Sequence, residues 1–154
     1  MVIGYGNDLR SDDAVGQWVA RAVQAWEVPN VHAFAVHQLT PELIETLVRA
    51  NLTIFVDAYH ANLAQSLQVC PIKPAPFGVG MRHTSDPQVL LAIAQALYAY
   101  YPQAWWIMVP AVNFEMGDCL SSIAKYGMSE ALEEIKDLIQ QSQSRNLHTG
   151  LPQL

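Results

Sequence analysis

The stretch Val2-Ile-Gly-Tyr-Gly-Asn-Asp-Leu-Arg-Ser-Asp-Asp-Ala-Val-Gly16 decides the fold: an apolar run stops at Gly4-Tyr-Gly6, and a helical stripe starts behind a pair of acids. Val15, Trp18, Val19, Ala22 and Trp26 recur at helical spacing, so the segment predicts strand, loop and helix, with Asp12 or Asp13 capping the helix. Further along, Val28-Pro29-Asn30 punctuates the chain before a second strand over 31–36. Thr40 followed by Pro41 supplies an N-cap and a preset φ for a second helix, with Leu43, Ile44, Leu47 and Val48 on its apolar face. Leu52-Thr-Ile-Phe-Val-Asp57 is nearly continuously apolar, the mark of a central parallel strand buried on both faces. The order so far is βαβαβ.

The link from Asp57 to Ser66-Leu-Gln-Val-Cys-Pro-Ile72 is too short for a crossover helix, and Pro71 suits an edge, so a fourth strand is expected antiparallel at the sheet margin. After a Pro- and Gly-rich stretch over 73–85, Asp86-Pro87 opens a helix with Leu90, Ile93, Ala94, Leu97 and Tyr101 on its stripe. A fifth strand over 104–109 follows, then a long loop over 110–128. Ser129 caps a last helix with Leu132, Ile135, Leu138 and Ile139 facing inward. The expected class is α/β: a three-layer α/β/α sandwich around a twisted, mostly parallel five-stranded sheet with one antiparallel edge strand. A single domain over 1–142 and a flexible tail over 143–154 complete the expectation.

Composition supports one self-sufficient core, since a chain of 154 residues with 51% hydrophobic and 14% charged residues folds without disulfide or structural metal. No apolar run approaches the ~20 residues a membrane span requires. A net charge of -6 disfavours nucleic acid, whose binding needs Lys and Arg to neutralise phosphates. The start shows neither a basic n-region nor a small-residue cleavage site, so a cytoplasmic location is expected. Cys70 and Cys119 are far apart and specify neither a disulfide framework nor a zinc cage.

Ligands of such folds bind beyond the carboxyl ends of the strands. That rule selects Asn7, Asp8, Asp12 and Asp13 after the first strand, His37 after the second, and Asp57 and His60 after the third; His83 belongs to the loop before the Asp86 helix, which could fold over the same crevice. A dinucleotide reading of Gly4-Tyr-Gly6 fails, because Leu9 stands where the third Gly is needed and two acids would face a pyrophosphate. Helix capping explains Asp12 and leaves Asp13 over. Asp13, Asp57 and His83 would make a mixed oxygen and nitrogen set with open positions, suited to Ni, Zn, Mn or Co. There is no Gly-x-Ser-x-Gly elbow, no His-Glu-x-x-His and no Cys-His pair, so serine, zinc-helix and thiol peptidase designs find no support.

Read whole, Gly4-x-Gly6-Asn7-x-Leu9-x-x-Asp12-Asp13-x-x-Gly16 resembles the N-terminal motif of the hydrogenase maturation endopeptidases, and the likeness continues through Phe55-Val-Asp57-Ala58 and the His83 segment to Pro110. Ala14 departs from the Gly often found after the paired acids. The resemblance implies an α/β sandwich that clips a C-terminal extension from the large-subunit precursor of a nickel-iron hydrogenase after nickel insertion. It also implies that Asp13, Asp57 and His83 sense nickel delivered with the substrate, and that Asp13 or Asp57 serves an aspartic-type or a metal-assisted hydrolysis. His37-Gln38-Leu39 followed by Thr-Pro-Glu-Leu resembles the HoxW subgroup, which serves bidirectional, NAD-linked hydrogenases. His37, Gln38 and Asn7 are then expected in substrate recognition, with the protein acting as a monomer. Two alternatives stay open: a non-catalytic chaperone or nickel-binding module for the same precursor, and an ordinary metallopeptidase holding its own zinc.

Overall fold

The four apolar residues Val2–Tyr5 are all buried because they form β1 in the middle of a sheet, flanked by parallel β2 (Ala33–Val36) and parallel β3 (Leu52–His60). The computed structural model describes residues 1–62, 65–76 and 86–149. β5 (Gln103–Ala111) pairs in parallel with β3 from Leu52↔Gln103 to His60↔Ala111. β4 (Gln68–Ile72) closes the sheet antiparallel to β5, giving the order β2-β1-β3-β5-β4. Pro71 sits in that edge strand, where a missing N–H is tolerated.

The expected three layers are present. α1 (Val15–Gln24) and α4 (Ser122–Thr149) cover one face, and α2 (Ile44–Leu47) and α3 (Pro87–Tyr98) the other. Val15, Val19 and Val23, spaced four apart, join Ile54, Val56, Ile107, Ala131 and Ile135 in one core. Ile3, Tyr5, Phe55, Leu47, Leu90 and Leu91 build the other. Each fully buried aliphatic or aromatic side chain contributes about 1.5–3 kcal/mol, so the two cores dominate stability. Trp18, assigned to the inner stripe of α1, is 42% exposed; the stripe is narrower, and Trp18 lies under the Arg21 guanidinium instead.

Close packing of α1 on β1 passes through two glycines. A Cβ on Gly4 would lie 1.7 Å from the Gly16 carbonyl oxygen, a backbone atom that no rotamer change can move aside. Helix-to-strand approach is therefore achieved by Gly16, ten residues after the glycine pair.

Several boundaries differ from the sequence reading. α2 is a single turn behind a short 3-10 turn at Pro41–Leu43, and the Thr40 side chain makes no capping bond although Pro41 occupies the first position. β3 and β5 extend each other beyond Asp57 and Val109. α4 starts at Ser122, not after Ser129: the Ser121 hydroxyl accepts the Ala124 N–H at 3.2 Å. At its other end α4 continues through 143–149, into the segment expected as a tail. Asp86 caps α3 as expected, accepting the Gln88 N–H at 2.8 Å, and Ala99 ends that helix in the left-handed region. Among the described residues, no helix is long and apolar enough to cross a membrane.

Candidate active site

From β1 the chain runs through α1 to β2 on one side, then returns to β3 on the other, so the strand order switches between the carboxyl ends of β1 and β3. Open α/β sheets bind ligands at such a point. Gly6 leaves β1 at φ +138, a region only glycine occupies without strain, and its N–H bonds the His37 carbonyl at 3.2 Å. The turn aims the Asn7 N–H at Asp13 Oδ2, 2.9 Å away, while Asn7 Oδ1 accepts the Leu9 N–H at 2.9 Å. Buried Gln17 reaches back from α1 and donates to the Gly6 carbonyl at 2.6 Å. Arg21 in turn donates to Gln17 Oε1 at 2.9 Å and pairs with Asp8 at 3.8 Å. Asp13 is thus held by a turn that the helix itself pins.

Asp12 does something other than cap. Neither the 3-10 turn Ser11–Ala14 nor α1 has a side-chain cap bond, and the Asp12 side chain is fully buried across the crevice floor. Its Oδ2 accepts the Val112 N–H at 2.9 Å, the Asn113 N–H at 3.0 Å and the Ser121 hydroxyl at 2.7 Å, and its Oδ1 accepts the Ser121 N–H at 2.6 Å. Burial pushes the carboxyl up, but these bonds outweigh it and hold it below the usual carboxylate range. The capping role proposed for Asp12 on α1 is replaced by an anchor that ties the first loop to the segment leading into α4. Backbone pairing extends the seam: Ser11 N–H to Gly117 O, Gly117 N–H to Leu9 O and Asp12 N–H to Asn113 O.

Asp57 lies on β3 where complete burial ends. Its Oδ1 accepts the following Ala58 N–H at 2.8 Å. Burial pushes its carboxyl up to about 7, against the pull of the Ala58 N–H and with a further push from the charge of Asp13. Asp13 and Asp57, thirteenth and fifty-seventh in the chain, are therefore brought within electrostatic reach across the switch point. The phenol of Tyr5 borders the same carboxylate.

His37 and Gln38 are exposed at the end of β2, on the rim where the sequence placed them. His60 stacks on Phe114, with ring centroids 5.1 Å apart, which accounts for it as packing at the end of β3. His83 lies outside the described residues. Among the described residues no group of three or more His, Cys, Asp or Glu is arranged to hold a metal ion. Two carboxylates, each with one oxygen engaged by a backbone N–H, are half of a hard divalent site and fit a metal that brings other ligands with it. Both cysteines are exposed, and the Cys119 thiol is pushed up by its hydrogen bond to Asp118 and that residue's charge, the reverse of what a thiolate nucleophile needs. The sequence reading missed Gln17, Ser121 and Tyr5; their polar atoms matter only through contacts made in the folded chain.

The same architecture recurs in known structures. The hydrogenase maturating endopeptidase HybD from Escherichia coli superposes with a TM-score of 0.70 at 19% identity, covering 92% of this chain and 91% of that one. The [NiFe] hydrogenase maturation protease HycI from Thermococcus kodakarensis gives 0.69 at 18%, covering 90% of each chain. A hydrogenase 2 maturation peptidase from a Thaumarchaeota archaeon gives 0.65 at 16%, covering 90% of this chain and 95% of that one. No family model matches the sequence, and no curated protein matches it significantly. The chain has the fold of the hydrogenase maturation proteases.

Proposed function

We propose that the chain is an endopeptidase that removes a C-terminal extension from the precursor of a nickel-iron hydrogenase large subunit. The observation that carries this reading is the approach of Asp13 and Asp57 across the switch point of that fold. One oxygen of each carboxylate is engaged by a backbone N–H, which leaves the other for a substrate. In this reading nickel is part of the substrate: the precursor carries it, and Asp13 and Asp57, with the imidazole of His83, recognise it without retaining the free ion. Bound in that way, the metal supplies positive charge that orients the precursor. Asp57 or Asp13 then takes a proton from the water that attacks the scissile carbonyl.

Purified protein mixed with nickel-loaded precursor should shorten it by one discrete C-terminal peptide, seen by mass spectrometry. A stable complex with an intact tail would instead establish a non-catalytic chaperone, and cleavage of unrelated peptides by protein containing stoichiometric zinc an ordinary metallopeptidase. We further propose cytoplasmic processing after nickel insertion, with a bidirectional, NAD-linked hydrogenase as partner, on the strength of the His37-Gln38-Leu39 stretch. His37→Ala combined with Gln38→Ala should lower processing of that precursor about tenfold, close to 1.4 kcal/mol of lost recognition, and leave a precursor of another hydrogenase type unaffected. Equal effects on both precursors would remove the pair from partner selection.

A further inference from the structure

Tyr5 is 4% exposed at the carboxyl end of β1, and its hydroxyl has no hydrogen-bond partner among the described residues. The indole N–H of Trp106 is equally buried and equally unpaired. A buried donor left unmatched costs about 1–3 kcal/mol, so two of them on one sheet face call for an explanation in function. Strand register supplies one. Gly4 pairs with Val56, which sets Tyr5 beside Asp57, and Phe55 pairs with Trp106, which brings the indole to the same face two residue pairs below. The neighbours that bear on the Tyr5 hydroxyl are the Asp57 carboxylate and the Trp106 N–H, with the charge of Asp86 further off. The phenol therefore stands between a donor and an acceptor. Asp57 has one oxygen fixed by Ala58 N–H, and a second donor would lock the rotation of its carboxylate.

We propose that Tyr5 is the positioning residue for Asp57: its hydroxyl, held from behind by the Trp106 indole N–H, donates to the Asp57 carboxylate and sets how that group faces the crevice. The proposal rests on the protease reading. Hydrogen bonds of this kind are often long without substrate and tighten when it binds, which accounts for the open geometry. Trp106 acts through Tyr5 and not on the substrate.

Tyr5→Phe keeps the ring and removes the hydroxyl. We expect kcat for the nickel-loaded precursor to fall about tenfold, 1.36 kcal/mol in barrier height, with KM unchanged. The melting temperature should hold or rise, since the variant deletes a buried group that has no partner among the described residues of the free chain. Trp106→Phe should lower kcat less, and the two changes together no more than Tyr5→Phe alone. Ultraviolet resonance Raman difference spectra of the precursor complex, wild type minus Tyr5→Phe, should report Tyr5 as a hydrogen-bond donor, a signature lost in Asp57→Leu. Full kcat in Tyr5→Phe, a fall in melting temperature that accounts for lost activity, or a missing donor signature would each overturn the proposal. Wild-type protein that leaves the precursor whole overturns the protease reading, while the Raman spectra still decide whether Tyr5 holds Asp57.

Discussion

Asp57→Asn is expected to abolish removal of the precursor's C-terminal peptide, a loss of at least about a hundredfold, because general acid–base groups typically contribute 10²–10⁴ in rate. The substitution is nearly isosteric, and asparagine Oδ1 can still accept the Ala58 N–H that Asp57 Oδ1 accepts at 2.8 Å. What disappears is the ability to take a proton. A loss of activity with the fold intact is therefore expected, and pH separates the two. Burial raises the Asp57 carboxyl to about 7, so between the unfolded value near 3.9 and that point the folded chain holds a proton that the unfolded chain has released. Its contribution to stability is complete below the lower value and is lost as pH rises through the upper one. Melting temperatures of the metal-free wild type should decline across that window, and Asp57→Asn should flatten the decline. Retained cleavage by Asp57→Asn, scored by mass spectrometry on nickel-loaded precursor, would remove Asp57 from the chemistry.

Why the strands were easier to read than the site follows from the range of the interactions. Val2–Tyr5, Leu52–Val56 and the 104–109 run are apolar because both sheet faces are covered, and burial on both faces is written continuously along the chain. Asp86-Pro87 is a local signal, and the helix begins there. The start of α4 is hidden because Gly127 lowers helix propensity within its first turns, and the residue that supports its cap, Asp12, lies more than a hundred positions earlier. The extension of β3 to His60 is equally invisible: Ala58-Tyr59-His60 carries a weak strand pattern, and the pairing with Val109, Pro110 and Ala111 holds it. Tyr5 and Trp106 read simply as strand residues from sequence, since an unpaired hydroxyl and an unpaired indole N–H are properties of the folded neighbourhood alone. Asp13 and Asp57 stood out for the opposite reason, as acids at the ends of apolar strands or turns where a charge has no evident structural use.

Asp12→Ala should destabilise the chain by on the order of 3–5 kcal/mol, because it strips partners from three backbone N–H groups and a serine hydroxyl, and unmatched buried donors cost about 1–3 kcal/mol each before water relieves some of them. Loss of an N-cap alone predicts about 1 kcal/mol, so urea denaturation distinguishes the anchor from the cap. Asp12→Asn should fall between, since its amide can accept at one position but turns a donor toward an N–H at the other. The acid limb gives an independent check. The hydrogen bonds hold the Asp12 carboxyl below its usual range, so its contribution is present above the unfolded value near 3.9 and is lost as pH falls through the lower, folded value. Asp12→Asn should therefore weaken the acid dependence of stability, in a window below the one governed by Asp57. The loop that Asp12 anchors runs directly into Asp13, and the Ser11–Gly117 and Leu9–Gly117 bonds pass through the same seam. Folded Asp12→Asn should consequently process precursor more slowly than wild type even under conditions where its fold is complete, because the neighbouring acid has lost its fixed base. An Asp12→Asn protein with wild-type kcat and wild-type acid dependence would reduce the anchor to a local packing contact.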